Sequence, residues 1–216
     1  MRTLAAIAIL LLTAIPAKAD QIVGFGQLGS LNTFFAVNNG DGTTSLDVLT
    51  GVAITNIITG ATDPNAVFEF EAESIDAASL LAGVLVTQHF EGTFTLRNQA
   101  DTINYLYGSF GGALILGGDG GTGAVLSANT VNLDPLSMQS DLIALFDPMS
   151  FSLSLSNLSP TLGISGGTIN SFNASFTGTA DATIPEVPVP EPASLFLLGT
   201  GLVGLAASAK KRLFRK

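Results

Sequence analysis

Apolar side chains recur at every second position through much of this chain. Phe68-Glu69-Phe70-Glu71-Ala72-Glu73 is the clearest case: Phe68, Phe70 and Ala72 fall on one side and three glutamates on the other. A strand sends successive side chains to opposite faces, whereas a helix returns to a face after three or four residues. The spacing therefore demands a strand with one dry face and one wet face. Phe90, Gly92, Phe94 and Leu96 share a face in the same way, as do Ile103, Tyr105 and Tyr107. Phe151, Leu153 and Leu155 alternate with serines, and Phe172, Ala174 and Phe176 alternate with Ser171, Asn173 and Ser175. Further strands are expected over Thr33–Val37, Ser45–Ile58, Ala113–Leu116 and Ala124–Val131.

Between these runs lies turn chemistry: Asn38-Asn39-Gly40-Asp41-Gly42, Gly60 to Pro64, Gly117 to Gly123, and Ser165 to Gly167. Many short half-buried strands joined by such turns predict a mainly β fold, a single antiparallel β-sandwich or roll-like domain. Inward positions are expected at Phe68, Phe70, Phe94, Leu153, Phe172 and Phe176, and the phenylalanines read as core. One or two short helices are expected as well. Ser74–Val84 is rich in Ala and Leu, and Asp134-Pro135 offers a cap and a first-turn proline before Leu136–Phe146.

The two ends of the chain carry a different message. Met1-Arg2 is a short positive start, Leu4 to Ile15 is an apolar run, and Ala17-Lys18-Ala19 is a small-x-small site before Asp20. These are the parts of a secretory signal peptide cleaved between Ala19 and Asp20. At the other end, Pro190-Glu191-Pro192 precedes an uncharged run from Ala193 to Ala209. The basic residues Lys210, Lys211, Arg212, Arg215 and Lys216 follow. A 17-residue helix spans roughly 25 Å at about 1.5 Å per residue, near the ~30 Å of a bilayer's hydrocarbon core. Leu213, Phe214 and snorkelling basic side chains extend it. The basic end stays cytoplasmic by the positive-inside rule, which places the body across the membrane. The expected plan is a signal peptide over 1–19, a β-rich exported body over 20–184, a Pro-rich linker over 185–192, a transmembrane helix over 193–209 and a basic cytoplasmic end over 210–216.

The prolines of IPEVPVPEP hold an extended, stiff backbone with few hydrogen-bond donors. In the order Pro-Glu-Pro, apolar helix, basic end, the tail resembles the PEP-CTERM sorting signal. That resemblance implies recognition by an exosortase-type membrane peptidase, with Pro190, Glu191 and Pro192 as the sorting motif and the basic cluster as the membrane stop. It implies transient membrane anchoring through the tail, then release or transfer to the cell surface or extracellular space. It also implies a setting in which extracellular polysaccharide is made, so a polysaccharide partner is an expectation. It says nothing about the body.

All 17 acidic residues lie between Asp20 and Glu191, and Arg97 is the only basic residue there. The span 20–192 thus has a formal charge of −16, which repels nucleic acid and anionic lipid surfaces. The chain has no cysteine, so packing must stabilise the body without disulfides. No cofactor is expected. Gly163-Ile164-Ser165-Gly166-Gly167 fits the hydrolase G-x-S-x-G, but that motif needs a histidine later in the chain, and His89 comes earlier. His89 reads as a surface or rim residue. Gly199-Thr200-Gly201-Leu202-Val203-Gly204 fits G-x-G-x-x-G but sits inside the membrane run with no acidic residue after it. Glu69, Glu71 and Glu73 offer carboxylates about 7 Å apart along a strand, and they read as a solvated face. Asn39, Asp41, Thr43 and Asp119 are oxygen-bearing loop residues, yet Val37 and Val48 occupy the first and last ligand positions of an EF-hand frame. They read as turns, and no metal site is assigned. The body is expected to be non-catalytic, structural or adhesive. The alternative is a secreted carbohydrate- or calcium-dependent binding module.

Overall fold

The computed structural model describes residues 20–130 and 135–184. The expected signal peptide, linker, transmembrane helix and basic end all lie outside those residues. Among the described residues the chain forms strands and no helix. In order these are β1 (Asp20–Gln27), β2 (Phe34–Asn38), β3 (Thr44–Ile57), β4 (Asp63–Ser74), β5 (Ser79–Leu81), β6 (Leu85–Arg97) and β7 (Asn104–Gly118). Then follow β8 (Gly123–Asn129), β9 (Leu136–Gln139), β10 (Phe146–Ser159), β11 (Ile164–Ser165), β12 (Thr168–Ile169) and β13 (Phe172–Thr183).

Every pairing is antiparallel, and eight strands close into a barrel. Around the barrel the order is β1, β3, β4, β6, β7, β8, β10, β13, which is chain order, and the last strand returns to the first. Three shorter strands continue a neighbour along the same edge. β2 follows β1 between β3 and β13, β5 follows β4 along β6, and β9 follows β8 along β7. The expected mainly β, antiparallel domain is present, and its expected sandwich or roll-like form is corrected to an up-and-down barrel. Alternation fixes which face is dry but not whether two edges meet, and here the β6–β7 and β1–β13 ladders join what would be open edges. Register shifts in β1, β3, β6 and β10 supply the local bends that closure needs.

Both expected helices are absent. Over 74–84 the chain ends β4, forms β5 and reverses through Ala82 and Gly83, both at positive φ. Over 136–146 it forms β9, bends, and enters β10. Alanine and leucine content favours helix only weakly, and strand pairing overrides it. β1 is not legible in the spacing of the sequence, since Gly24 and Gly26 and a register shift break its alternation. The Ile103, Tyr105, Tyr107 face also points the unexpected way: Leu106 is the buried residue, and both tyrosines lie on the outer side.

The interior is filled by aromatic rings. Of the 14 phenylalanines, Phe25, Phe34, Phe68, Phe70, Phe90, Phe94, Phe110, Phe151, Phe172 and Phe176 are buried. All six expected inward residues are among the buried set. Phe35 and Phe146 are exposed, and Phe196 and Phe214 fall outside the described residues. Phe94 stacks on Phe151 at 4.3 Å, and Phe68 lies 4.8 Å from Phe25 and 5.5 Å from Phe176. Each buried ring contributes about 1.5–3 kcal/mol from area alone, and close ring pairs add about 0.5–1.5 kcal/mol. The outer face carries Glu69, Glu71, Glu73 and the β10 serines, the reverse of a membrane barrel's apolar exterior.

One end of the barrel is closed by a hairpin. Gly166 and Gly167, both at positive φ, turn β11 into β12 and bury Thr168 and Ile169. Gln88 ties it down from inside: its Oε1 accepts from Ile169 N at 3.2 Å and from Thr44 Oγ1 at 3.2 Å. Its Nε2 donates to the Asp76 carbonyl at 2.8 Å.

Candidate functional site

The glutamate row of β4 does not stand alone. In the antiparallel register Asp47 of β3 lies opposite Glu71, and Glu73 lies opposite Glu91 of β6. These four exposed carboxylates, with Ser45 and Thr93, line an open groove of about 650 Å³ on the outer surface. Like charges directly opposite one another repel, and the nearest row has the cation. Arg97 Nη1 donates to Glu69 at 3.0 Å, and its Nε meets Asp101 at 3.1 Å. The sequence showed the glutamates of β4 but not Asp47 and Glu91, which only the register brings alongside. Among the described residues no three carboxylate or imidazole groups are gathered closely enough to hold a metal ion.

His89 lies on the outer face of β6, as expected of a surface histidine, but it has a partner. Its Nδ1 lies 2.6 Å from Asp76 Oδ2, and its backbone N–H donates to Asp76 Oδ1 at 2.8 Å. Both side chains are nearly half exposed. Asp76 thereby pins the bend between β4 and β5 to β6. No sequence signal marked Asp76, because the pairing depends on that bend. Ser165 of the G-x-S-x-G match sits on the capping hairpin, and its carbonyl accepts from Asn38 Nδ2 and Thr168 Oγ1. A strand-turn-strand replaces the strand-turn-helix that a nucleophile elbow requires.

The Asn39–Thr43 loop uses its oxygens on itself. Asp41 Oδ1 accepts from Thr43 N at 2.9 Å and from Thr43 Oγ1 at 2.8 Å. These bonds, the hydroxyl's first, hold the Asp41 carboxyl below the usual carboxylate range. Asn39 Nδ2 donates to Thr43 Oγ1 and Ser45 Oγ. Asp119 lies in the exposed turn between β7 and β8, where its backbone N–H donates to the Val84 carbonyl. The Asn39–Thr43 loop is thus closed by its own hydrogen bonds, whereas the Asp119 turn is tied to the turn before β6.

Tyr105 Oη donates to Asp63 Oδ2 at 2.7 Å. Burial, and then the hydrogen bond and charge of Asp63, push the Tyr105 hydroxyl from its usual value near 10 up to about 12.

Of the residues expected to direct export, Asp20 is the first residue of β1, paired in register with Ala182. Ala17, Ala19, Pro190, Glu191, Pro192, Lys210, Lys211, Arg212, Arg215 and Lys216 lie outside the described residues. Among the described residues no helix is long and apolar enough to cross a membrane. No curated protein matches the chain. No solved structure matches it either. One family model does match: the PEP-CTERM protein-sorting motif, over residues 188–212. Those residues hold Pro190-Glu191-Pro192, the uncharged run and the first three basic residues, in the order the sorting signal requires. The tail of the chain thus carries the PEP-CTERM protein-sorting motif.

Proposed function

We propose that this is an exported protein whose tail passes it to an exosortase-type peptidase, and whose barrel then serves a structural or adhesive role at the cell surface or in the extracellular matrix. The motif at 188–212 carries the reading, since it implies exosortase-dependent sorting and a membrane-held precursor. Three features support a non-catalytic body. The interior is packed with phenyl rings. His89 is committed to Asp76, and Ser165 lies on a capping hairpin. The −16 charge of 20–192 keeps the released body off anionic surfaces.

Fractionation of wild type and Glu191→Ala, in a host with the peptidase, tests the sorting step. The substitution leaves the apolar run and basic end intact, so insertion should persist while release slows and the longer form accumulates. Release at the wild-type rate and size would mean that Glu191 is not read. Deletion of 189–216 should free the body from the membrane fraction; continued membrane association would show that the tail is not the anchor.

A second reading, a carbohydrate- or calcium-dependent binding module, has the acidic groove of β3, β4 and β6 in its favour. Polysaccharide pull-down with and without a chelator separates the two. Retention that chelator abolishes supports the module, and no retention supports the structural role.

A further inference from the structure

We propose that Asp119 and Asn170 together hold one divalent cation of the calcium type, which clips the capping segment to the turn between β7 and β8. The site goes beyond both readings of the body's role, since it serves a structural barrel and a binding module alike. The two segments already meet through their backbones. Gly120 N–H donates to the Leu162 carbonyl at 2.8 Å, and Leu162 N–H donates to the Gly121 carbonyl at 2.9 Å. One residue on, the Gly163 carbonyl accepts from Asn170 N–H at 3.0 Å. Asp119 and Asn170 thereby both reach Gly163: a Cβ built on it would lie 3.4 Å from Asn170 Oδ1 and 3.6 Å from Asp119 Oδ1. Two side-chain oxygens from segments far apart in the chain thus converge on one point.

Neither oxygen can donate. An ionised carboxylate only accepts, and so does the oxygen of a side-chain amide. The Asn170 amide cannot be turned round, because its Nδ2 donates to the Thr161 carbonyl at 2.9 Å and a carbonyl accepts only. Asn170 Oδ1 is buried, and no donor among the described residues reaches it. A buried acceptor left unpaired is costly, and a carboxylate beside it adds repulsion. One cation removes both penalties, since hard metal ions take oxygens from carboxylates and side-chain amides alike. Asp119 is exposed, so water completes the shell on the outer side. An irregular, half-open shell suits calcium, whose geometry is flexible, better than magnesium, which demands a near-ideal octahedron. One carboxylate and one amide make a weak site, with a Kd of about 10⁻⁴–10⁻³ M, as in extracellular modules. Gly163 supplies the room. Its φ is not in the left-handed region, so its conformation does not demand glycine. An alanine methyl there would make ordinary contacts with both oxygens and stand where they converge.

Amide hydrogen exchange of the full chain, purified in detergent and titrated with calcium chloride, tests the site. A background of about 0.15 M salt screens the exposed carboxylates throughout. A ligand that binds only the closed form suppresses opening by the factor 1 + [L]/Kd. At about 10 mM calcium, exchange at the Gly120, Leu162 and Asn170 amides should therefore slow roughly tenfold to a hundredfold. Gly163→Ala should keep the wild-type thermal midpoint without calcium and lose the slowing. Asp119→Asn, in an exposed turn, should lose it too and carries the test should Gly163→Ala fold poorly. Glu73→Gln, in the outer groove, should keep it. Calcium that leaves the wild-type amides unchanged overturns the site. So does equal slowing in Gly163→Ala and Asp119→Asn, and so does slowing that Glu73→Gln abolishes, which would place the ion in the groove. Each of these outcomes leaves the sorting reading standing.

Discussion

Gly178 of β13 shows how little slack the interior has at single positions. A Cβ built there would run into the Phe25 ring of β1. Gly178→Ala should therefore push Phe25 away from Phe68 and Phe176, costing about 1–3 kcal/mol as overpacking does. Urea denaturation reads this as a lower midpoint; an unchanged midpoint would mean that the ring can move freely. Phe94→Ala removes the ring stacked on Phe151 and should cost about 3–5 kcal/mol. Tyr105 gives a pH signature. Its folded pKa of about 12 lies above the unfolded value near 10, so the fold favours the protonated phenol. The stabilisation is complete below pH ~10 and is lost as pH rises from there through about 12. Tyr105→Phe has no proton to lose and should show a shallower alkaline fall in thermal midpoint across that window.

Among elements, the capping hairpin depends on one buried amide. Gln88→Leu would leave the Ile169 N–H without its acceptor, at about 1–3 kcal/mol for a buried group left unpaired, while Thr44 Oγ1 keeps the Ile169 carbonyl at 3.3 Å. Hydrogen exchange should then speed up at Ile169 well before it does in β10 or β13; uniform acceleration would contradict a local role. At the scale of elements the sequence is both most and least legible. Phe68 to Glu73 announced both the strand and its inward face, because period-2 spacing has no helical equivalent. β1 stayed hidden because its glycines and register shift erase that period. The two expected helices failed for the opposite reason. Alanine, leucine and a first-turn proline are local preferences, and barrel edges at β6 and β7 were available to pair with those segments. The Asp76–His89 pair and the Asp47–Glu71 and Glu73–Glu91 juxtapositions depend on register across strands, which spacing along one strand does not encode.

For the molecule as a whole, two properties follow from closure and charge together. The first is a salt dependence. Asp47 and Glu73 each face a like charge across the ladder, and the body has a single basic residue. Raising ionic strength from very low to about 0.15 M shortens the Debye length to about 8 Å and should raise the thermal midpoint; a midpoint that falls with salt would mean that attractive pairs dominate. The second is the placement of the barrel in the chain, between the signal peptide proposed before Asp20 and the sorting motif matched at 188–212. The most direct test is the intact mass of the protein recovered outside cells that have the peptidase. The account predicts a species that begins at Asp20 and has lost the uncharged run and basic end beyond Pro192. A recovered mass that still includes Met1 to Ala19, or that still includes Ala193 to Lys216, would contradict it.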